Sequence, residues 1–314
     1  MSDRVLVFGG AGFIGSHLVA RHRADGDEVH IAVRRRGSAT SATVLDSPNV
    51  HEVDLAKTES IEDCFAAARP TLVYHLATRT PHNWTEASNR SDGDWFGDVE
   101  NLIRLIAVAK QFQPAIRAFL RAGSIAEYGD GPAPFLEEQR EQPLYPYALM
   151  QVIGTHYTRM AQPLLPFPAF TARLALTYGA GQRGDFLVPS LIRCCLERAP
   201  FRIDNPKSVR DLVHVDDVVD GLVTLARSGH AGCEVVNICS GTALTNREVA
   251  ATILDVTGAP DTLLSYGCGG NGPGAHVVAA SGHLAKSLLG WSAKIGFAEG
   301  VRRTVEAQMG RSYA

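Results

Sequence analysis

Residues 4–20 read RVLVFGGAGFIGSHLVA, and this stretch decides the fold. Its apolar run at residues 5–8 has the length of a buried strand, and the run stops at a glycine-rich turn. Apolar residues at helical spacing then follow at Ile14, Leu18 and Val19. The stretch therefore predicts a strand, a tight turn and a helix in direct succession.

The glycines of this turn have separate tasks if the turn binds a dinucleotide. Gly9 permits the sharp exit from the strand, Gly12 lets the backbone approach a pyrophosphate, and Gly15 lets the helix pack close to the sheet. The first N–H groups of the helix, those of Phe13 and Ile14, then face the phosphates at the positive end of the helix dipole. We expect these residues to bind a dinucleotide cofactor. An ordinary glycine-rich loop is the alternative.

A second strand is predicted at residues 28–33, EVHIAV, and it ends at Arg34 and Arg35. In dinucleotide-binding folds, an acidic residue about 20 positions beyond the glycines holds the adenosine ribose. Arginine at that place suits a 2′-phosphate, which a guanidinium binds through two hydrogen bonds and a carboxylate would repel. We therefore expect NADP(H) as the cofactor, with NAD(H) as the other possibility. A solvent-exposed basic turn is the alternative interpretation.

The composition is that of an ordinary globular protein. The 314 residues are 45% hydrophobic and carry a net charge of -3, so no basic excess indicates nucleic acid or an anionic membrane surface as a partner. The 6 cysteines show neither paired spacing nor a CxxC motif, which favours reduced thiols in the cytoplasm and no metal site. No uninterrupted apolar run approaches membrane-spanning length. The expected partner is a small molecule.

Strands and helices alternate along the first half of the chain. Further strands are predicted at residues 50–54, 71–77, 115–122, 170–176 and 235–238, and helices at 99–112, 147–162 and 301–309. Alternation of this kind implies right-handed crossovers and a doubly wound parallel sheet of the Rossmann type. The pattern breaks down later in the chain. We therefore predict a cofactor domain at residues 1–176 and 209–240, and a smaller α/β substrate-binding lobe at 177–208 and 241–314.

Motifs spread over nearly the whole chain point to one family. They are GGAGFIGSHL at the glycine turn, VDL at 53–55, YHLAT at 74–78, GSIAEYG at 123–129, PYALMQ at 146–151, YGAGQ at 178–182, SVRDLVHVDDV at 208–218 and LLGW at 288–291. In this order they resemble the extended short-chain dehydrogenase/reductase family of nucleotide-sugar epimerases, dehydratases and ketoreductases. The resemblance implies cofactor contacts at Asp54, Leu55, Leu76, Ala77 and Thr78.

The resemblance also implies the catalytic residues. Tyr147 matches the family's acid/base tyrosine, and Ser124 matches the serine that donates a second hydrogen bond to the reacting oxygen. The family's lysine stands four residues after the tyrosine, where this chain has Gln151. Glutamine can hydrogen-bond the cofactor ribose but supplies no charge to lower the tyrosine pKa. Tyr145 is a less suitable substitute for Tyr147, because it lies before the start of the predicted helix.

The choice of reaction depends on the residues at 125, 126 and 151, and on Arg34 and Arg35, which favour net reduction because reductases are commonly matched to NADPH. Dehydratases of this family carry an Asp-Glu pair where this chain has Ile125 and Ala126, so elimination is disfavoured. Protonating a developing alkoxide needs only a neutral tyrosine, whereas oxidising an alcohol needs the phenolate, so Gln151 favours a ketoreductase. The predicted function is NADPH-dependent reduction of a nucleotide-linked keto-deoxysugar, such as a 4-keto-6-deoxyhexose. Two alternatives stay open: an epimerase that retains NAD(H), and a catalytically impaired cofactor-binding homologue.

The resemblance implies a nucleotide-sugar site as well. Arg210 matches the residue that binds the diphosphate, while Thr80 and Val188 match other substrate contacts. His214, Asp216 and Asp217 have the chemistry of metal ligands, but the resemblance makes them the end of a strand and the start of a helix. Family members associate through the helices near residues 99–112 and 147–162, so a homodimer is expected.

Overall fold

The computed structural model describes residues 2–35, 48–78, 96–112, 116–232, 234–267 and 277–312. Its largest sheet has seven strands, which we number with the others in chain order: β1 Arg4–Phe8, β2 Glu28–Val33, β3 Val50–Glu52, β4 Leu72–His75, β5 Ala118–Ser124, β6 Ala169–Leu174 and β10 Val235–Ile238. Across the sheet the order is β10-β6-β5-β4-β1-β2-β3. The pairs that join β5, β4, β1, β2 and β3 are parallel. The order reverses between β1 and β4, as in a doubly wound Rossmann sheet, and the predicted fold class is confirmed.

Four helices belong with this sheet: α1 Phe13–Ala24, α2 Thr58–Ala68, α3 Phe96–Gln111 and α4 Pro146–Ala161. The strands β1 and β4 are almost fully buried, as strands covered on both faces should be. On one face, a core of apolar side chains joins the sheet to the helices, and the rings of Phe8 and Phe65 stack within it with centroids 6.1 Å apart. This packing holds the carboxyl ends of the strands in fixed positions.

The chain divides into two compact units. The first comprises residues 1–131, 140–173 and 222–236, and it holds the glycine turn and most of the large sheet. The second comprises residues 132–139, 174–221 and 237–314. The predicted assignment of a cofactor role to one part and a substrate role to the other remains a prediction.

The second unit contains smaller sheets and its own core. Its strands are β7 Leu176–Tyr178, β8 Phe201–Ile203, β9 Val209–His214, β11 Ala243–Thr245, β12 Leu264–Tyr266 and β13 Val277–Val278. Strand β9 pairs with β7, β11 and β13, while β8 pairs with β12. Its helices are α5 Leu187–Leu196, α7 Asn246–Thr257, α8 His283–Leu289 and α9 Phe297–Ser312; α6 Val215–Ala226 starts in this unit and ends in the first. The core packs α5, α7 and α9 around Tyr178.

The predicted elements agree best with the structure where the sequence signal is local. Strands β2 and β10 have the predicted bounds, and α3 and α4 differ from the prediction by three residues or fewer at each end. Strand β5 continues to Ser124 instead of ending at residue 122, which brings that serine to the carboxyl edge of the sheet. Helices α2, α7 and α8 were not predicted.

Candidate active site

The glycine turn has the geometry that a pyrophosphate requires. Gly9 has a φ of +83°, and a Cβ there would lie 2.8 Å from the backbone N of Ala77. A Cβ on Gly15 would lie 2.1 Å from the carbonyl oxygen of Gly9, so only glycine lets α1 start this close to β1. Gly12 is the N-cap of α1, and no side chain caps the helix there. The N–H groups of Phe13 and Ile14 thus begin a helix whose end suits an anion, and the turn fits a dinucleotide.

The segment after β4 lies directly beside this turn. The backbone N–H of Leu76 donates to the carbonyl oxygen of Phe8 at 2.8 Å, and the backbone of Ala77 lies so close to Gly9 that it leaves no room for a Cβ there. Thr78 lines a small cavity with Gln151. The structure therefore brings Leu76, Ala77 and Thr78 to the switch point of the sheet, where ligands of doubly wound folds bind.

The other predicted cofactor contacts lie at neighbouring strand ends. Arg34 and Arg35 follow β2 directly and are exposed. Asp54 follows β3, and its carboxylate accepts a hydrogen bond from the backbone N–H of Ala56 at 3.1 Å. Leu55 packs against the apolar core instead of facing solvent fully. These residues lie at the carboxyl ends of β2 and β3, and their predicted contact with the adenosine half of the cofactor stays a prediction.

Ser124 and Tyr147 are brought together although they are far apart in the chain. Ser124 ends β5 and caps a short 3₁₀ helix, its hydroxyl accepting from the backbone N–H of Ala126 at 3.1 Å. Tyr147 is the second residue of α4, after Pro146 at the first position. The two side chains form a hydrogen bond. A serine and a tyrosine hydroxyl are thus paired at the carboxyl edge of the sheet.

The surroundings of Tyr147 keep its hydroxyl protonated. Burial raises the pKa of Tyr147, and the charges of Glu127 and Asp98 raise it further. The hydrogen bond with Ser124 and the charge of Arg121 act in the opposite direction, but the pKa stays above its ordinary value. At neutral pH the tyrosine is therefore a proton donor.

Gln151 is buried one helical turn after Tyr147, with 3% of its surface exposed. Its side-chain oxygen accepts a hydrogen bond from Nη2 of Arg121 at 2.5 Å. The Arg121 guanidinium, 4% exposed, also donates to the hydroxyl of Thr155 at 2.9 Å. A buried cation therefore lies beside the position where the family has its lysine.

A buried ion pair between Glu127 and Arg173 supports the serine. Glu127, with 0% exposure, accepts from the backbone N–H of Ser124 at 3.0 Å and from Nε of Arg173 at 2.9 Å. The hydroxyl of Thr155 donates to the same carboxylate at 2.7 Å. Arg173 also pairs with Glu141. Because these partners occupy its carboxylate, Glu127 holds structure and does not face a substrate.

The predicted substrate residues have different environments. Arg210 is half-buried in β9, between Leu244 of β11 and Val278 of β13 in the register of the sheet. Val188 is 3% exposed and belongs to the core of the second unit, so its side chain faces apolar neighbours and only its backbone could reach a ligand. Thr80 lies outside the described residues.

The residues with the chemistry of metal ligands have structural partners. Asp217 lies in the first turn of α6, and its carboxylate accepts from the backbone N–H groups of Lys294 and Ile295 at 3.1 and 2.8 Å. Within the described part of the chain, the one group placed to hold an ion comprises His22, Asp25 and Asp27. The guanidinium of Arg227 forms ion pairs with both of these aspartates.

Arg121, Glu127 and Arg173 are the structural residues that sequence reasoning left unassigned. Arg121 lies in AFLRAGS and Arg173 in AFTARL, two apolar strands in which a charge cannot remain unpaired once buried. An arginine inside each predicted buried strand was therefore a signal for a polar network. Its partners could not be named, because they come from other elements.

The doubly wound sheet, the glycine turn at its switch point and the paired Ser124 and Tyr147 define the class of a nicotinamide-dependent Rossmann enzyme. The chain belongs to the NAD dependent epimerase/dehydratase family, whose model matches residues 5–239. The predicted membership of the extended short-chain dehydrogenase/reductase family is thereby confirmed.

Relatives within this family have diverse activities. A UDP-glucose 4-epimerase of Mycolicibacterium smegmatis is 28% identical, with 96% of this chain and 97% of that protein covered. A dTDP-6-deoxy-L-talose 4-dehydrogenase (NAD(P)(+)) of Kitasatospora kifunensis is 27% identical, with 97% and 95% covered. The crystal structure of Thermus thermophilus UDP-glucose 4-epimerase in complex with NAD is 25% identical, with a TM-score of 0.83 and 98% and 99% covered.

Among the described residues, no helix is both long and apolar enough to cross a membrane.

Proposed function

We propose that this protein uses NADPH to reduce a nucleotide-linked keto-deoxysugar, such as a 4-keto-6-deoxyhexose. The observation that carries the proposal is the protonated Tyr147 paired with Ser124, next to a neutral Gln151. A reductase needs a proton donor for the oxygen that becomes an alkoxide, and a tyrosine with a raised pKa is one. An enzyme that starts by oxidising an alcohol needs the phenolate, which this environment disfavours.

The roles of the chain's residues follow from this chemistry. Bound NADPH supplies the hydride to the ketone carbon. Tyr147 donates its proton to the ketone oxygen, and Ser124 holds that oxygen by a second hydrogen bond. Gln151 binds the cofactor ribose. The N–H groups of Phe13 and Ile14 at the α1 terminus, together with the close backbone of the glycine turn, hold the pyrophosphate.

The preference for NADPH rests on Arg34 and Arg35. Both are exposed directly after β2, where an acidic residue would select NADH. Two guanidinium groups at this edge favour a 2′-phosphate. The relative from Kitasatospora kifunensis is named as using NAD(P)(+), which is consistent with use of the phosphorylated cofactor.

The proposal of a nucleotide-sugar substrate is supported by Arg210 and by the relatives. The relatives are named for UDP-glucose and dTDP-sugars. A planar guanidinium at Arg210 suits a diphosphate, with Thr80 and the backbone at Val188 as further contacts. We also propose a cytoplasmic location, with which the free thiols among the described residues, Cys64, Cys194, Cys195 and Cys239, are consistent.

The test follows NADPH absorbance after mixing the protein with UDP- or dTDP-linked 4-keto-6-deoxyhexoses. We expect oxidation of NADPH by the wild-type protein, and a loss of at least about a hundredfold in Tyr147→Phe because general-acid catalysis is worth that much. Tyr145→Phe is the matched control and should keep its turnover. Absence of turnover with this panel, or an unchanged rate in Tyr147→Phe, would contradict the proposal.

An epimerase is the second candidate, and the names of the relatives favour it. Such an enzyme removes a hydride and returns it to the other face of the sugar, so it keeps its cofactor. It would be purified with tightly bound NAD(H) and would interconvert UDP-glucose and UDP-galactose without net change in NADPH absorbance. A protein that binds NADPH and turns over none of these substrates would instead be a catalytically impaired homologue.

We also propose a homodimer formed through α3 and α4. These helices pack against each other and present exposed apolar side chains, with Ile103 37%, Leu149 44% and Met160 62% exposed. Exposed apolar side chains on two neighbouring helices favour association.

A further inference from the structure

We propose that Arg121 is a positioning residue that orients the amide of Gln151, so that the Arg121–Gln151 pair binds the nicotinamide ribose in place of the family's single lysine. Gln151 supplies the hydrogen-bond donors for the nicotinamide ribose, and Arg121 fixes the direction in which they point. This inference rests on the proposed binding of a nicotinamide cofactor.

The orientation follows from the chemistry of the two groups. A guanidinium has only donors, whereas an amide has an accepting oxygen on one side and a donating NH₂ group on the other. Nη2 of Arg121 lies 2.5 Å from Oε1 of Gln151, and Nη1 lies 3.4 Å from the backbone oxygen of the same residue. Turning the amide round would place N–H groups against N–H groups. The oxygen therefore stays on Arg121, and Nε2 faces away from it.

An amide held in this way resembles an ammonium group towards a ligand. It offers two N–H donors and no acceptor, which suits the hydroxyls of a ribose. Gln151 stands one helical turn after Tyr147 on α4, and it lines the same small cavity as Thr78 at the end of β4. Its donors are thus on the cofactor edge of the sheet.

The fold makes room for Arg121 at one place. A Cβ on Gly154 of α4 would lie 2.7 Å from Nη2 and 2.9 Å from Cζ of Arg121. Gln151, Gly154 and Thr155 lie on one face of α4, next to the guanidinium of Arg121. Gln151 and Thr155 accept hydrogen bonds from it, and Gly154 leaves space for it because it has no side chain. This face of α4 therefore accommodates the guanidinium of Arg121 from β5.

The first experiment measures cofactor affinity by calorimetry, independent of turnover. We expect Arg121→Met to weaken NADPH binding about tenfold, because the free amide no longer presents its donors in one orientation. Binding of adenosine 2′,5′-bisphosphate, which lacks the nicotinamide half, should stay within twofold. Arg121→Lys should restore most of the NADPH affinity, since a lysine also donates to Oε1.

Arg227→Met is the matched control. It removes another arginine, which forms ion pairs with Asp25 and Asp27. These aspartates lie on the loop that leads into β2, away from Gln151. Its NADPH affinity should equal that of the wild-type protein, which excludes an effect of net charge alone. Thermal unfolding of each variant shows whether it is folded.

The second experiment asks whether loss of Arg121 improves NADPH binding once a lysine stands at position 151. Gln151→Lys in the wild-type background should weaken NADPH binding, because two buried cations then lie side by side. Gln151→Lys combined with Arg121→Met should bind NADPH at least as well as the wild-type protein. A general structural role of Arg121 would make the double variant worse than either single variant.

The outcomes separate this inference from the proposed function. Wild-type protein that binds neither NADPH nor NADH would overturn both. Wild-type protein that binds NADPH, with folded Arg121→Met at unchanged affinity or with equal losses for NADPH and adenosine 2′,5′-bisphosphate, would overturn the orienting role of Arg121 and leave the proposed function intact.

Discussion

At the scale of single residues, burial decides which side chains titrate and which stay neutral. Tyr147 stays a proton donor because burial raises its pKa, and the hydrogen bond with Ser124 and the charge of Arg121 do not bring it back to its ordinary value. His75, at the end of β4, is 3% exposed, and burial lowers its pKa to about 3, with Arg121 contributing. Both residues lie at the carboxyl edge of the sheet, and both are neutral at pH 7 although the charged Arg121 lies near them.

The pH dependence of stability tests this account of His75. The unfolded chain takes up a proton at this residue near pH 6.5, whereas the folded protein does so only near pH 3. The contribution of His75 to the free energy of unfolding is therefore fully present above pH 6.5. It is lost as the pH decreases, by about 2 kcal/mol between pH 7 and pH 5. In urea unfolding, the free energy of unfolding of His75→Asn should decrease over this pH range by about 2 kcal/mol less than that of the wild-type protein. An equal pH dependence of stability in the two proteins would contradict the assignment. Burial also lowers the pKa of His22, which contributes to the pH dependence of both proteins.

At the scale of elements, close contact between β1 and α1 fixes the cofactor turn. Gly15 allows the first turn of α1 to touch the carbonyl oxygen of Gly9, so the helix terminus points to the switch point. The succession of β1, the glycine turn and α1 was predictable from the sequence, because each glycine is needed at its position for a local steric reason. Paired elements distant in the chain were less predictable: β5 and α4 contribute Arg121 and Gln151, and no local pattern reports their contact.

Gly15→Ala tests the packing of this turn. The added Cβ would lie 2.1 Å from the oxygen of Gly9, so α1 must shift; we expect a loss of about 2–3 kcal/mol in unfolding free energy and loss of NADPH binding. Gly310→Ala on α9 is the matched control, because its Cβ would meet no heavy atom within 4 Å. That variant should be more stable by up to about 1 kcal/mol. A Gly15→Ala protein as stable as the wild type would disprove the tight packing.

At the scale of the whole molecule, the family assignment was accessible from sequence, since motifs such as RDLVHVDDV and LLGW extend well beyond the glycine turn. The Rossmann order of the sheet followed from alternating strands and helices. The surroundings of individual site residues did not. Val188 belongs to an apolar core that gathers residues from α5, α7 and α9, and such a core is visible only once the chain is folded.

The oligomeric state is a further test at this scale. Leu149→Glu places a charge on the exposed apolar face of α3 and α4, so light scattering should show a shift from dimer towards monomer. Met309→Glu on α9, at a side chain 50% exposed, is the control and should leave the mass unchanged. A wild-type protein that is monomeric at micromolar concentration would refute the dimer.

The Glu127–Arg173 pair has a consequence for redesign. Elimination of water from a sugar needs acids at positions 125 and 126, and Ile125 is 3% exposed whereas Ala126 is half-buried. A carboxylate could be accommodated at residue 126, but at residue 125 it would enter the apolar interior, next to a carboxylate at Glu127 that Arg173, Thr155 and Ser124 already occupy. An engineer who wants a dehydratase on this scaffold must therefore rebuild the short 3₁₀ helix itself, since side-chain replacement alone would add an unpaired charge to the core.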